Sequence, residues 1–271
     1  MPDTRRITGP EETQSPFAFC PQFLAQSAEA FSDGKRRDGR KAEADHRPVF
    51  LKAGLISQAK GSAFAELDKT KVVCAVYGPH EVARREDFSM QGQISCEVKF
   101  APFSCRVRRQ HVQDGREKDL STQLLEALEP AVRLDSFPKS QVDVFVTVLE
   151  NDGSALSAAI TCASLALADA GIEMYDLVVA CTARIHGTSI LVDPSFSEEN
   201  LKTVSGEKPG GQVTLGFMPS LRQVSALCYH GDTDLDVLSQ ATQRCQDTCH
   251  KLYQVVQDTL VKSVEQRMNN S

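Results

Sequence analysis

The chain has 271 residues, 41% of them hydrophobic and 24% charged, which suffices for one large globular domain or two small ones. Its net charge of −6 excludes a general nucleic-acid binder, so any contact of that kind must use a local basic patch. Nine cysteines without a Cys-x-x-Cys pair, a start "MPDTRRITGPEE" without an apolar leader, and no run of ~20 apolar residues point to a soluble protein of a reducing compartment.

Residues 1–46 are polar and charged. "DGKRRDGRKAEADHRP" has no periodicity, so this stretch is expected to be a flexible N-terminal arm. Phe17, Phe19, Phe23 and Phe31 stand out within it as a segment able to dock on a partner. From Arg47 the pattern changes. "VFLKAGLISQAKGSAFAEL", "KVVCAVYGP" and "QISCEVKF" read as extended segments. Leu120, Leu124, Ala127, Leu128, Ala131 and Val132 recur at helical spacing and predict a helix over 119–134, which Pro130 should bend or end. "QVDVFVTVL" then alternates, putting Val142, Val144, Val146 and Val148 on one face of a sheet.

In "NDGSALSAAITCASLALADAG", residues 151–171, a turn opens into a helix rich in alanine, small enough to lie close on a sheet. Asp152 or Ser154 is expected to cap it. "DLVVACTARI" and "TSILVD" form a hairpin through His186-Gly187, and "QVTLGFMP" with "RQVSALCYH" forms a second. A closing helix over 235–267 carries the stripe Leu235, Leu238, Cys245, Leu252, Val256 and Leu260. The order is α+β. Two parts, 47–134 and 141–267, each run strands and then helix, and 268–271 form a short tail.

Four stretches could carry chemistry. The free amides at the start of the 155–169 helix could hold an anion beside Gly153 and Ser154, yet a merely capped helix accounts for the same residues. "KFAPFSCRVRRQHVQDGREKDL" concentrates Arg106, Arg108, Arg109 and Arg116 in an acidic protein, a patch suited to RNA phosphates, or else a solvated loop. Asp193, Glu198 and Glu199 in "ILVDPSFSEEN" could offer hard oxygen ligands, or only end a strand. Cys245, Cys249 and His250 fall on the closing helix without a second ligand cluster, so they read as core and no metal site is expected. No cofactor and no catalytic triad is indicated.

Five stretches together, "LISQAKGSAFAEL", "TKVVCAVYGP", "APFS", "LEALEPAVRLDSFPKSQVDVFVTVLENDGSALSAAITCASLALADAGIEMYDLV" and "FMPSLRQV", resemble the RNase PH family in its order, over residues 47 to about 260. The resemblance is nearest to the ring subunits of the RNA exosome. It implies an RNase PH-like domain over 47–267, built of two β-α units of the ribosomal protein S5 domain 2 type. Active members of that family are phosphorolytic 3′-to-5′ exoribonucleases. They use a Gly-Ser/Thr-Arg turn, aspartates after the strand matching "ILVD", and arginines before the helix at 119–134. This sequence departs from that pattern. Ala155 replaces the phosphate arginine, Gln212 stands at the second aspartate, and Glu117 follows Arg116 where a second basic residue belongs. Gly153 and Ser154 keep the turn, and Asp193 remains as a vestigial carboxylate.

The resemblance therefore implies a non-catalytic ring subunit rather than an enzyme. It would pair with other RNase PH-like subunits and S1/KH cap subunits around a channel for RNA, in the nucleus, nucleolus and cytoplasm and away from membranes. An active phosphorolytic nuclease with a rearranged site is the alternative. A free-standing RNA-binding protein is a third reading.

Overall fold

The computed structural model describes residues 31–32, 35–36, 38–82, 90–187, 189–201 and 210–270. Phe17, Phe19 and Phe23 lie outside these residues. A short antiparallel pair, β1 (Phe31–Ser32) and β2 (Lys35–Arg36), precedes two larger sheets. The first has five strands in the order β3-β4-β5-β7-β6: β3 (Val49–Ala53), β4 (Gly61–Leu67), β5 (Thr70–Glu81), β6 (Gln93–Phe100) and β7 (Ser140–Glu150). Only the β6–β7 pairing is parallel. The second sheet is antiparallel in the order β11-β10-β8-β9: β8 (Val179–His186), β9 (Ser189–Val192), β10 (Gln212–Met218) and β11 (Gln223–His230).

The alternation of β7 holds: Val142, Val144, Val146 and Val148 are buried. The expected boundary between the two parts does not. β7 lies between β5 and β6, so it belongs to the first unit and not to the second. A parallel strand needs a crossover, and α1 (Gly115–Leu128) supplies it between β6 and β7. Helix α1 begins four residues before the expected start, because Asp114 and Glu117 form a reciprocal capping box. Pro130 does end it, falling in the 3-10 turn Glu129–Ala131. Helix α1 also protects the sheet edge. Ser121 Oγ accepts the Val98 amide and Glu117 Oε1 the Phe100 amide, both at 2.9 Å.

Helix α2 (Ala155–Asp169) lies between the sheets and packs on β4, β5 and β8. Every residue from Leu156 to Leu167 is buried, which demands a helix apolar all round. Two of its polar side chains serve the start of β8. Ser164 Oγ accepts the Val178 amide at 2.9 Å, and Thr161 Oγ1 the Ala180 amide at 3.1 Å. The closing helix, α4 (Leu235–Asn270), covers the other face of β8 and reaches β3. It runs into the expected tail. Cys245, Cys249 and Val256 of its stripe are buried, whereas Leu235 is 77% exposed, in the first turn. Cys245 and Cys249 pack in the core, as read from the sequence.

The expectation of a flexible arm up to residue 46 is corrected for its last part. Arg36 is buried and Arg40 half-buried against the turn after β9. A charged segment without hydrophobic periodicity is thus fixed by ion pairs rather than by apolar packing.

Candidate functional site

A cavity of about 520 Å³ opens between α1, the start of α2 and the inner ends of the second sheet. Arg116, Asp119 and Glu126 line it from α1, Ser154 and Ala155 from α2, and Thr182, Gln212 and Thr214 from β8 and β10. The structure thus brings the turn and Arg116 together, 38 residues or more apart in sequence, and leaves Asp193 outside.

The turn before α2 is shaped by close backbone approach. Gly153 has φ +91°, and a Cβ on it would come within 2.5 Å of the Pro194 carbonyl oxygen. Phe196 donates its amide to Asp152 O at 2.9 Å, zipping this turn to the one after β9. Ser154 is left-handed at φ +54°. Its hydroxyl donates to Pro194 O at 3.1 Å, and the helix has no side-chain cap, in contrast to the expectation of Asp152 or Ser154. Ala155, next along, forms part of the cavity wall and carries no charge.

Asp193, expected as a vestigial carboxylate, is a structural ion pair. It is buried, and Arg47 reaches it with Nη2 at 2.7 Å and Nε at 2.8 Å. The same guanidinium donates to Asp152 O at 3.0 Å and Gly153 O at 3.2 Å, so Arg47 ties the two turns together. Burial alone would raise the Asp193 pKa, but Arg47 and the neighbouring His46 hold it well below the usual carboxylate range. A group whose folded pKa is depressed contributes stability above its unfolded value of ~4, lost as the pH falls through the folded value. The midpoint of urea unfolding is therefore expected to fall steeply below pH ~4, and Asp193→Asn to flatten that slope.

Glu198 and Glu199, adjacent in sequence, go to different places. The helical turn α3 (Phe196–Glu199) starts with a capping box of Ser195 and Glu198. Glu198 is buried and paired with Arg36, whose Nε and Nη2 donate at 2.8 and 2.6 Å. Arg40 lies 3.4 Å from the same carboxylate. Glu199 instead enters the cavity, where Oε1 accepts the Ser154 amide at 2.7 Å and the Gln212 side-chain amide at 3.3 Å. Its sheltered position pushes its pKa upward, against the pull of the Ser154 amide, Arg116 and Arg47. Arg184 stands opposite Gln212 across β8 and β10. Burial lowers its pKa, and the field of Glu199 opposes that shift.

The basic segment is less uniform than its sequence. Arg108 and Arg116 are exposed. Arg106 is half-buried with its guanidinium 4.5 Å from the centre of the Phe196 ring. Arg109 stacks 4.3 Å over Phe100 and lies 3.9 Å from the Glu117 carboxylate, so it is tied to the protein itself. Glu117, the residue after Arg116, is buried, bonding the Phe100 and Asp114 amides. Phe103, just before these cations, and Val107 and Val112, between them in sequence, are exposed, an apolar component the sequence reading missed. Among the described residues no group of three His, Cys, Asp or Glu is arranged to hold a metal ion.

The comparisons with known proteins agree with this architecture. The family model described as "3' exoribonuclease family, domain 1" matches residues 45–173. The exosome complex component MTR3 of Homo sapiens is 38% identical, over 98% of this chain and 97% of its own. The exosome complex component RRP41-like of Arabidopsis thaliana is 38% identical, over 85% of this chain and 86% of its own. Among solved structures, rice (Oryza sativa) Rrp46 superposes with a TM-score of 0.70 at 24% identity, over 83% of this chain and 100% of that one. A chain of the Archaeoglobus fulgidus exosome, with RNA bound to the active site, gives 0.68 at 24% identity, over 81% and 92%. In sequence and in fold, the chain belongs to the RNase PH family.

Proposed function

We propose that this chain is a non-catalytic structural subunit of the RNA exosome core ring. Its relatives along nearly the whole chain are named as exosome components, which supports ring membership. The observation that carries the non-catalytic part is the mouth of α2. Ala155 stands there where phosphorolytic members of the family present an arginine, and an alanine methyl cannot clamp phosphate as a guanidinium does. Loss of one electrostatic catalytic group costs ~10²–10³ in rate, and losing two compounds it. In this reading the chain helps assemble the ring with other RNase PH-like subunits and S1/KH cap subunits. It borders the RNA channel, and a nuclease on another subunit performs the cleavage.

The pure chain, given RNA and inorganic phosphate, is expected to release no nucleoside diphosphate. Robust phosphorolysis by a clean preparation would favour the alternative, an active nuclease with a rearranged site. Affinity purification from cells is expected to recover other ring and cap subunits with the chain.

In this reading RNA contact falls to the exposed Arg108 and Arg116. In the assembled ring, Arg108→Glu with Arg116→Glu is expected to reduce RNA crosslinking to this subunit several-fold and to weaken its salt dependence. Arg109→Ala is expected to leave crosslinking nearly intact and to cost about 1–2 kcal/mol of stability, because it stacks on Phe100. Urea unfolding of the two variants separates these outcomes.

A further inference from the structure

We infer that Glu199 is a built-in anion that occupies the start of α2 and closes the vestigial pocket to phosphate. The inference rests on the reading of that pocket as a former phosphate site, and adds a second barrier to the missing charge at Ala155. Three observations carry it. The Glu199 carboxylate takes the Ser154 amide at 2.7 Å, the bond an external anion at this helix end would seek. The Gln212 side-chain amide donates to the same oxygen, so two donors of the cavity are already engaged. The acids Asp119 and Glu126 line the same cavity as Glu199, along with Arg116 of their own helix, so a further anion meets repulsion as well as an occupied donor.

The carboxylate is delivered there by rigid parts. Glu198, one residue earlier, is held bidentate by Arg36 and closes the capping box on Ser195. The Phe196 amide bonds Asp152 O, fixing the turn that carries Glu199 to the turn that carries Ser154. Glu199 is therefore placed by a backbone bond between the two turns and by the side-chain pairing of its neighbour Glu198.

The test uses the full chain and inorganic phosphate, read by calorimetry and by the shift of the melting temperature with phosphate against chloride at equal ionic strength. The wild type and Ala155→Arg are both expected to bind no phosphate in the millimolar range. In Ala155→Arg the new guanidinium pairs with Glu199, which should raise the melting temperature. The double variant Ala155→Arg with Glu199→Ala is expected to bind phosphate at least tenfold more tightly than Ala155→Arg alone. Equal binding by the single and double variants would overturn the inference, because the carboxylate would then exclude nothing. A double variant with a wild-type circular dichroism spectrum and no phosphate response would overturn it as well. Glu199→Gln, which keeps an oxygen on the Ser154 amide, checks the contact independently. Its amide resonance at Ser154 should move, while residues of β3 should not. Phosphorolysis by the wild type would defeat the non-catalytic reading itself, an outcome separate from all of these.

Discussion

Arg47→Ala is expected to lower the stability of the chain by about 3–5 kcal/mol, measured as a shift in the urea midpoint at pH 7 with an unchanged m-value. Truncation removes more than one partner. Asp193 would keep a carboxylate that is 1% exposed with only Arg40 at 3.9 Å and His46 at 3.6 Å beside it, and a buried charge that loses its main partner is the costly half of a broken ion pair. The carbonyls of Asp152 and Gly153 lose their guanidinium donors, and Thr70 Oγ1 its contact at 3.2 Å. Replacing both charges, Arg47→Met with Asp193→Leu, should recover only part of the loss. The apolar pair relieves the buried charge but removes the guanidinium bonds to the turn carbonyls, leaving Asp152 O the Phe196 amide and Gly153 O the Thr70 hydroxyl. A double-mutant cycle on Arg47 and Asp193 is expected to show a coupling of about 2 kcal/mol or more. The result also reaches the pocket. If Arg47 fixes the two turns together, its loss should increase hydrogen exchange at Ser154, whose amide Glu199 holds.

These arginines mark where the sequence was readable and where it was not. Strand β7, helix α2 and both hairpins follow from patterns of two to four residues, and each lies where that pattern put it. The strand order does not follow from them. β7 enters between β5 and β6 through a parallel pairing, which no local pattern encodes. The docking of Arg36, Arg40 and Arg47 depends on acids 146 or more residues away, Asp193 and Glu198. A polar arm and a fastened arm therefore read alike in sequence. The site was legible in part. Gly153, Ser154, Ala155 and Arg116 do line or flank one pocket, and the family pattern identified them. Glu198 and Glu199 were visible as acids, but which of them enters the pocket is decided by the phase of the short turn α3. Arg109 reads as surface charge, yet stacking on Phe100 and the nearby Glu117 draw it inward. Glu117, eight residues past Arg109, is the acid it meets, and nothing in the neighbouring sequence marks that glutamate as buried.

Gly61→Ala is expected to be as damaging as the loss of Arg47, for a steric reason. Gly61 opens β4 at the end of α2, and an added Cβ would lie 2.2 Å from the Ala170 amide nitrogen and 2.4 Å from the Ala166 carbonyl oxygen. Both obstacles are backbone, so no side chain can swing aside. The end of the helix cannot retreat freely either. Asp169 accepts the Ser62 amide at 3.0 Å and pairs with Arg267 of α4, tying the junction on two sides. The methyl group must therefore displace a helix packed against both sheets, and the expected cost is about 3 kcal/mol or more. Gly115→Ala is the matched control. It sits at the first position of α1 with nothing within 4 Å of an added Cβ, so the same substitution should be neutral or stabilise by up to ~1 kcal/mol. If Gly61→Ala unfolded at the wild-type urea concentration, the close approach of α2 to β4 would be wrong. The alanine-rich helix would then have room to spare, and its small residues would need another explanation. With the expected loss, Ala166, Ala170 and Gly61 act together as the contact that lets one buried helix serve both sheets and present its first turn, Ser154 and Ala155, at the pocket wall.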